Sequence, residues 1–394
     1  MHARLQSTWR IAFAIMAALA ATTAAAEPNP PAAQPRFANG FPRDPGYFPI
    51  GVWLQRPANA AAYRAMGINV YVGLWDPPTR ETLDQLDRHG ISLIVVPSAQ
   101  ARALPNAHVI RGWMQVDEPD NAQPTASGDW GDCIPPHEVV RRRLEMQIDD
   151  PTRPVFLNFG QAVANPQWFG RGVKCSRTTP EAYYRIAHHG ADILSFDIYP
   201  AAEERQTHVM GRLDLVGTGT ANLRRWSKGQ PVWTSIETTH INHPERRPLP
   251  DEIRSQVWMA IVHGAAGIHY FVHEWMPSFR EDAVFRYPDT VSAITRINAQ
   301  LSELAPVLNS PTLSGVVRTA SPGSIVTMSK RHAGALYVFA VNMTNTAVDP
   351  NLALADAPQS HAVVLGEDRT IALRAGTMAD RFAPYGAHLY RIGP

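Results

Sequence analysis

Two glutamates offer the most chemistry in this chain of 394 residues: Glu118, in the stretch GWMQVDEPDNAQ at 112–123, and Glu237, in WTSIETTH at 233–240. Each closes a run of strand-forming and large apolar residues. Two carboxyl groups facing each other across a cleft, one held protonated and one ionised by their surroundings, suit the cleavage of a glycosidic bond. One protonates the leaving oxygen and the other attacks the anomeric carbon. The plainer readings are a loop carboxylate introducing the segment after Pro119 and, for Glu237, a salt bridge to Arg246 or Arg247. Where the strands fall decides between them.

From Phe48 onward short β-rich runs alternate with helical ones, the pattern of a parallel sheet covered by helices. The strands are expected at 48–53, 68–75, 91–98, 109–118, 155–160, 191–199, 231–237 and 267–275. Between them lie helical stretches such as RETLDQLDRHG, HEVVRRRLEMQI, PEAYYRIAHHG, TANLRRWSKG and DEIRSQVWMAIVHGA, several closed by a glycine that caps cheaply. GTGT at 217–220 reads as a loop before the sixth helix. Eight such units predict an α/β fold, a (β/α)8 TIM barrel over 48–310. Beyond it, runs such as ALYVFAVNM and AHLYRI at short spacing predict a C-terminal all-β sandwich over 311–394.

The working face of such a barrel is built by the C-terminal ends of its strands. Glu118 would end strand four and Glu237 strand seven, so the two could converge across the mouth. In an unbroken strand Asp117 and Glu118 would point to opposite faces, so the chain must bend there, with Pro119 as the expected stop. Asp76, Asn158, Asp197 and Glu274 also fall near strand ends, where they bind hydroxyls or lock one another in place. Trp53, Trp75 and Trp275 offer flat rings suited to the apolar faces of sugars. Trp258, inside a helix, is expected in the core.

With these residues placed, the barrel resembles the clan A retaining TIM-barrel glycoside hydrolases, in which a Glu ending strand four is the acid/base and a Glu ending strand seven the nucleophile. The resemblance implies those roles for Glu118 and Glu237. It also likens Tyr199 to a tyrosine that hydrogen-bonds the nucleophile and Trp275 to a platform beneath the sugar, and it implies no cofactor. His273 and Glu274 become substrate contacts, with Glu274 the rival nucleophile. Many clan members carry Asn before the acid/base; here Asp117 stands there. The substrate implied is a poly- or oligosaccharide.

The ends and the charge narrow the setting. His2, Arg4 and Arg10 precede the apolar run IAFAIMAALA and the small-residue segment ATTAAAE, the pattern of a signal peptide over 1–26 and of an exported protein, periplasmic or secreted, with no membrane attachment after cleavage. A Pro-rich linker and lead-in follows over 27–47. Export lets Cys133 and Cys175 form a disulfide in the loops after strands four and five, bracing the segment beyond Glu118. A net charge of +1 lacks the basic field of a nucleic-acid binder. His240, His243, His269 and His273 near strands seven and eight raise the thought of a metal-dependent hydrolase, but no H-E-x-x-H pattern accompanies them, and no metal is expected. A transglycosylase and a non-catalytic sugar-binding barrel are the other readings. Only the second dispenses with an opposed carboxyl pair.

Overall fold

The computed structural model describes residues 37–176, 179–319, 321–355 and 360–394. The expected signal peptide and the Pro-rich stretch that follows it lie outside the described residues. Eight parallel strands close into a barrel in chain order: β1 (Ile50–Trp53), β2 (Val70–Val72), β3 (Ser92–Val95), β4 (Ile110–Met114), β5 (Val155–Phe159), β6 (Ile193–Phe196), β7 (Val232–Glu237) and β8 (Gly267–Phe271), with β8 pairing back onto β1. Their apolar runs are nearly continuous because both faces are buried. Val72, Ile94, Met114, Phe156, Trp233 and Phe271 share the barrel interior. Neighbouring residues of opposite parity, Tyr71, Leu93, Trp113 and Leu157, belong to the core beneath the helices.

The helices are α1 (Ala60–Ala65), α2 (Arg80–Arg88), α3 (Ala99–Ala103), α4 (Pro136–Asp149), α5 (Pro180–Ala187), α6 (Asp214–Trp226), α7 (Pro250–Val262) and α8 (Pro288–Leu308). GTGT is not a loop; it lies inside α6. A glycine costs a helix about 1 kcal/mol relative to alanine, but at 219 a Cβ would stand 2.3 Å from the Phe196 ring and at 217 it would stand 2.7 Å from His263. Close packing of α6 on β6 and α7 requires both glycines. The lead-in also departs from a loose linker: Phe41 is buried against Trp233 with ring centroids 5.4 Å apart, and Asn39 bonds Thr152, so residues 37–47 close the barrel's N-terminal end.

The C-terminal strands are β9 (Thr312–Leu313), β10 (Val317–Thr319), β11 (Ile325–His332), β12 (Ala335–Asn342), β13 (Asn351–Leu354), β14 (His361–Val364), β15 (Arg369–Ala372), β16 (Thr377–Ala379) and β17 (Ala387–Ile392). They form a six-stranded sheet, β15-β14-β17-β12-β11-β9, and a three-stranded sheet, β10-β13-β16. In β12, Leu336, Val338 and Ala340 pack against Leu352, Met378 and Phe382 between the sheets. Phe339 and Val341 face the barrel instead, where Phe339 stacks on Trp258 of α7 at 5.4 Å. The run ALYVFAVN is apolar at nearly every position because this strand is covered on both sides.

Candidate active site

β4 stops at Met114, short of the carboxylates, and the bend falls on Glu118 itself, not on Pro119. Its φ of +44° lies in the left-handed region that non-glycine residues seldom occupy. The turn is held by Glu118 N–H donating to Asn158 O (2.9 Å) and Asn121 N–H donating to Glu118 O (3.0 Å). Glu118 Oε2 accepts from Arg171 at 2.7 Å and from Asn121 at 3.0 Å. A Cβ at Gly160 would stand 2.9 Å from Glu118 Oε1, so that glycine makes room for the carboxylate.

Asp117 opens to the water of the mouth on one side and is surrounded by protein on the others. Its Oδ1 accepts from Asn158 Nδ2 at 3.0 Å. Burial, with the Glu118 charge second, pushes its pKa up to about 7, against the Asn158 hydrogen bond. Asp197, just beyond β6, accepts from the Tyr199 hydroxyl at 3.0 Å. Burial, then Glu118 and Asp117, holds its pKa well above the usual carboxylate range. Asp117, Glu118 and Asp197 therefore form one electrostatic group at the ends of β4 and β6. Replacing Asp117 with Asn removes a neighbouring negative charge that raises the Asp197 pKa, so the alkaline limb of the kcat/KM profile is expected to move to lower pH. A pH–rate profile of Asp117→Asn checks this.

Opposite stands an aromatic wall. The Tyr199 ring lies 4.8 Å from Phe271, Phe271 stacks on Trp275 at 5.6 Å and 12°, Trp275 meets Phe279 at 5.7 Å, and Phe279 meets Trp75 at 5.5 Å. Trp75, Trp275 and Phe279 are 42%, 41% and 49% exposed, an unusual surface cost for large rings unless a ligand covers them. Asp76 is exposed beside Trp75. His273 is buried behind this wall, 3.0 Å from Leu54 O through Nε2, and burial lowers its pKa to about 4.

Besides His273, three expected site residues are placed away from the mouth. Glu237 is fully buried, and its two oxygens accept from the backbone N–H of Ala201 (2.7 Å) and Ala202 (2.8 Å). Burial pushes its pKa up to about 8 despite those two bonds, the reverse of what an anionic nucleophile needs. Arg246 grips the carbonyl of Ala201 and pairs with Glu252, so the salt bridge read for Glu237 is also not formed. Glu237 buttresses the segment after β6, which carries Tyr199. Glu274 is 1% exposed and accepts from Tyr287 Oη at 2.6 Å, with Arg286 at 3.4 Å; it ties the loops after β7 and β8 together and does not face the mouth. Trp53 is 5% exposed and stacks on His269 inside the barrel at 5.4 Å, below any ligand. Tyr199, in turn, bonds Asp197 and not Glu237.

Arg171 has no motif around it in the sequence, yet it is the guanidinium facing Glu118, with its other face over Trp130 at 5.2 Å. The nearby signal is Cys175, whose bridge to Cys133, with Cα atoms 4.8 Å apart, pins the loop of Arg171 to the loop of Glu118. Asp132 lies beside the two cysteines, but their sulfurs are joined to each other and offer no thiolate. The histidines diverge: His269 meets Ser195 at 2.8 Å, His273 meets Leu54 O, and His243 accepts from the Glu245 and Arg246 amides. Replacing both cysteines with serine is expected to cost roughly 4 kcal/mol of stability in the chain-entropy model, read as a fall in the thermal midpoint. The loss of Arg171's anchorage should lower kcat in the same variant.

No protein-family model and no curated protein matches the sequence. Solved structures do resemble the fold. The α-amylase of Geobacillus thermoleovorans complexed with acarbose is 11% identical, covering 90% of this chain and 100% of its own, with a TM-score of 0.54. An Anoxybacillus α-amylase, described as giving insight into a new glycosyl hydrolase subclass, is 10% identical over 90% of this chain and 99% of its own, with a TM-score of 0.51. At these identities the likeness establishes a shared architecture. Among the described residues no helix is long and apolar enough to cross a membrane.

Proposed function

We propose that the protein is an exported glycoside hydrolase acting on a poly- or oligosaccharide with net retention, with Glu118 as the anionic nucleophile and Asp197 as the acid/base. The observation that carries this reading is the contrast between the two carboxyls: Arg171 donates to Glu118 at 2.7 Å, while half-buried Asp197 has its pKa raised well above the usual carboxylate range by desolvation and by its acidic neighbours. A carboxyl with a raised pKa suits the acid/base, and a carboxylate paired with a guanidinium suits the nucleophile. The roles differ from those implied by the resemblance, in which Glu118 donates the proton and Glu237 attacks.

In the first step Asp197 gives its proton to the leaving oxygen as Glu118 Oε attacks the anomeric carbon; the glycosidic bond breaks and a glycosyl ester forms. In the second, Asp197, now ionised, takes a proton from water, whose oxygen displaces Glu118. Tyr199 orients Asp197 by its hydrogen bond. Asn158 holds Asp117, and the aromatic wall presents a flat apolar face to the sugar. A panel of plant, algal and microbial polysaccharides, assayed for released reducing sugar, should contain at least one that responds; NMR of the newly formed anomer should show retention. A panel without a responding glycan argues against the reading.

A further inference from the structure

We infer that the mouth carries an apolar subsite beside Asp117 that receives an aryl, alkyl or acyl group borne by the saccharide, an inference that rests on the glycosidase reading above. A cavity of about 350 Å³ lies beside the ends of β1 to β4, lined by Leu54, Leu74, Val96, Met114, Val116 and Asp117, with Met146 of α4 also against it. Neither Asp197 nor Tyr199 lines it, and among the described residues Asp117 is the one acidic residue that does.

The chain is shaped locally to make this space. Gly73 has a φ of +90°, and a Cβ there would come within 2.6 Å of Leu54 Cδ2, so any other residue would drive the leucine from its place. Leu54 itself adopts a φ of +37°. Val96 is 63% exposed at the end of β3, a position where a sugar-binding surface would carry a polar or aromatic side chain. Gln115, also lining the cavity and 2% exposed, donates its amide to Gly190 O and so is held away from the open side. The subsite thus offers mainly apolar walls with the Asp117 carboxyl at its edge, which suits a ring, alkyl or acyl chain. A sugar ring placed here would lose hydrogen bonds for most of its hydroxyls. An engineered cavity of about 150 Å³ holds benzene, so the volume admits a substituted ring.

Val96→Asn changes an exposed rim residue outside the catalytic group. Binding of 4-nitrophenol, followed by ligand-observed NMR, is expected for the wild-type protein and should weaken about tenfold in the variant, the scale set by small changes in an apolar pocket. No binding to the wild type, or equal binding to both, overturns the proposal. Two further arms use the sugar found to respond, as its 4-nitrophenyl glycoside and as an O-acylated oligosaccharide, each compared with the unsubstituted form. Val96→Asn should lower kcat/KM about tenfold for one of them and leave the unsubstituted form within about twofold. The arm that responds tells an aglycone from an acyl group; a change in neither overturns the proposal. If nitrophenol binding depends on Val96 while no saccharide is cleaved, the glycosidase reading fails and the apolar subsite stands.

Discussion

Glu118→Gln and Asp197→Asn each lower kcat by about 10³-fold on the responding glycan, while thermal unfolding stays close to that of the wild type. Loss of a positioned acid/base removes about 10² to 10⁴ in rate, and loss of a nucleophile at least as much. Neither side chain supports the core: Glu118 lies partly open beside Arg171, and Asp197 bonds a tyrosine at the mouth. The two variants separate by substrate. In kcat/KM, which reports the first step, Asp197→Asn should lose far less on a 4-nitrophenyl glycoside, whose leaving group departs without a proton, whereas Glu118→Gln should lose activity on both. Steady-state kinetics on the two substrates reads this. Equal losses of kcat/KM for Asp197→Asn on both would remove Asp197 from the acid role.

Glu237→Ala is expected to damage the fold before it damages the chemistry. The substitution leaves the amides of Ala201 and Ala202 without an acceptor in a fully buried place. At about 1 to 3 kcal/mol for each orphaned donor, the loss approaches 4 kcal/mol and should appear as a large fall in the denaturation midpoint. The pH dependence gives a second reading. With its folded pKa raised to about 8 from 4.5, Glu237 keeps a proton that the unfolded chain releases, so its contribution to stability falls as pH rises through that window. Glu237→Gln should therefore flatten the decline between pH 4.5 and 8. An anionic nucleophile would give the opposite pattern: a stable Glu237→Ala protein with no turnover.

The barrel was legible because its strands are buried on both faces and its helices end on glycine or polar caps, signals that survive in a single sequence. Strand ends are less legible: strand-forming residues continue to Val116, but pairing stops at Met114 and the remainder turns toward β5. Two polar pairs lie where their positions along the strands place them: Asn158 bonds Asp117, and Tyr199 bonds Asp197. Glu237 ends β7 and Glu274 lies just beyond β8, both of the residue type and general position expected at a mouth, and nothing in the local sequence withdraws them from it. What removes them from the mouth is tertiary: the Ala201–Ala202 amides close over one, and Tyr287 with Arg286 holds the other. Arg171 was invisible for the complementary reason, because a loop arginine acquires its role only when the Cys133–Cys175 bridge fixes the loop.

The most direct test of the assignment is to trap the covalent intermediate. A 2-fluoro analogue of the responding sugar, carrying a good leaving group, slows hydrolysis of the glycosyl ester so that peptide mass spectrometry can locate it. Label on Glu118 is the expected result; label on Glu237 would contradict it and return the chemistry to the seventh strand.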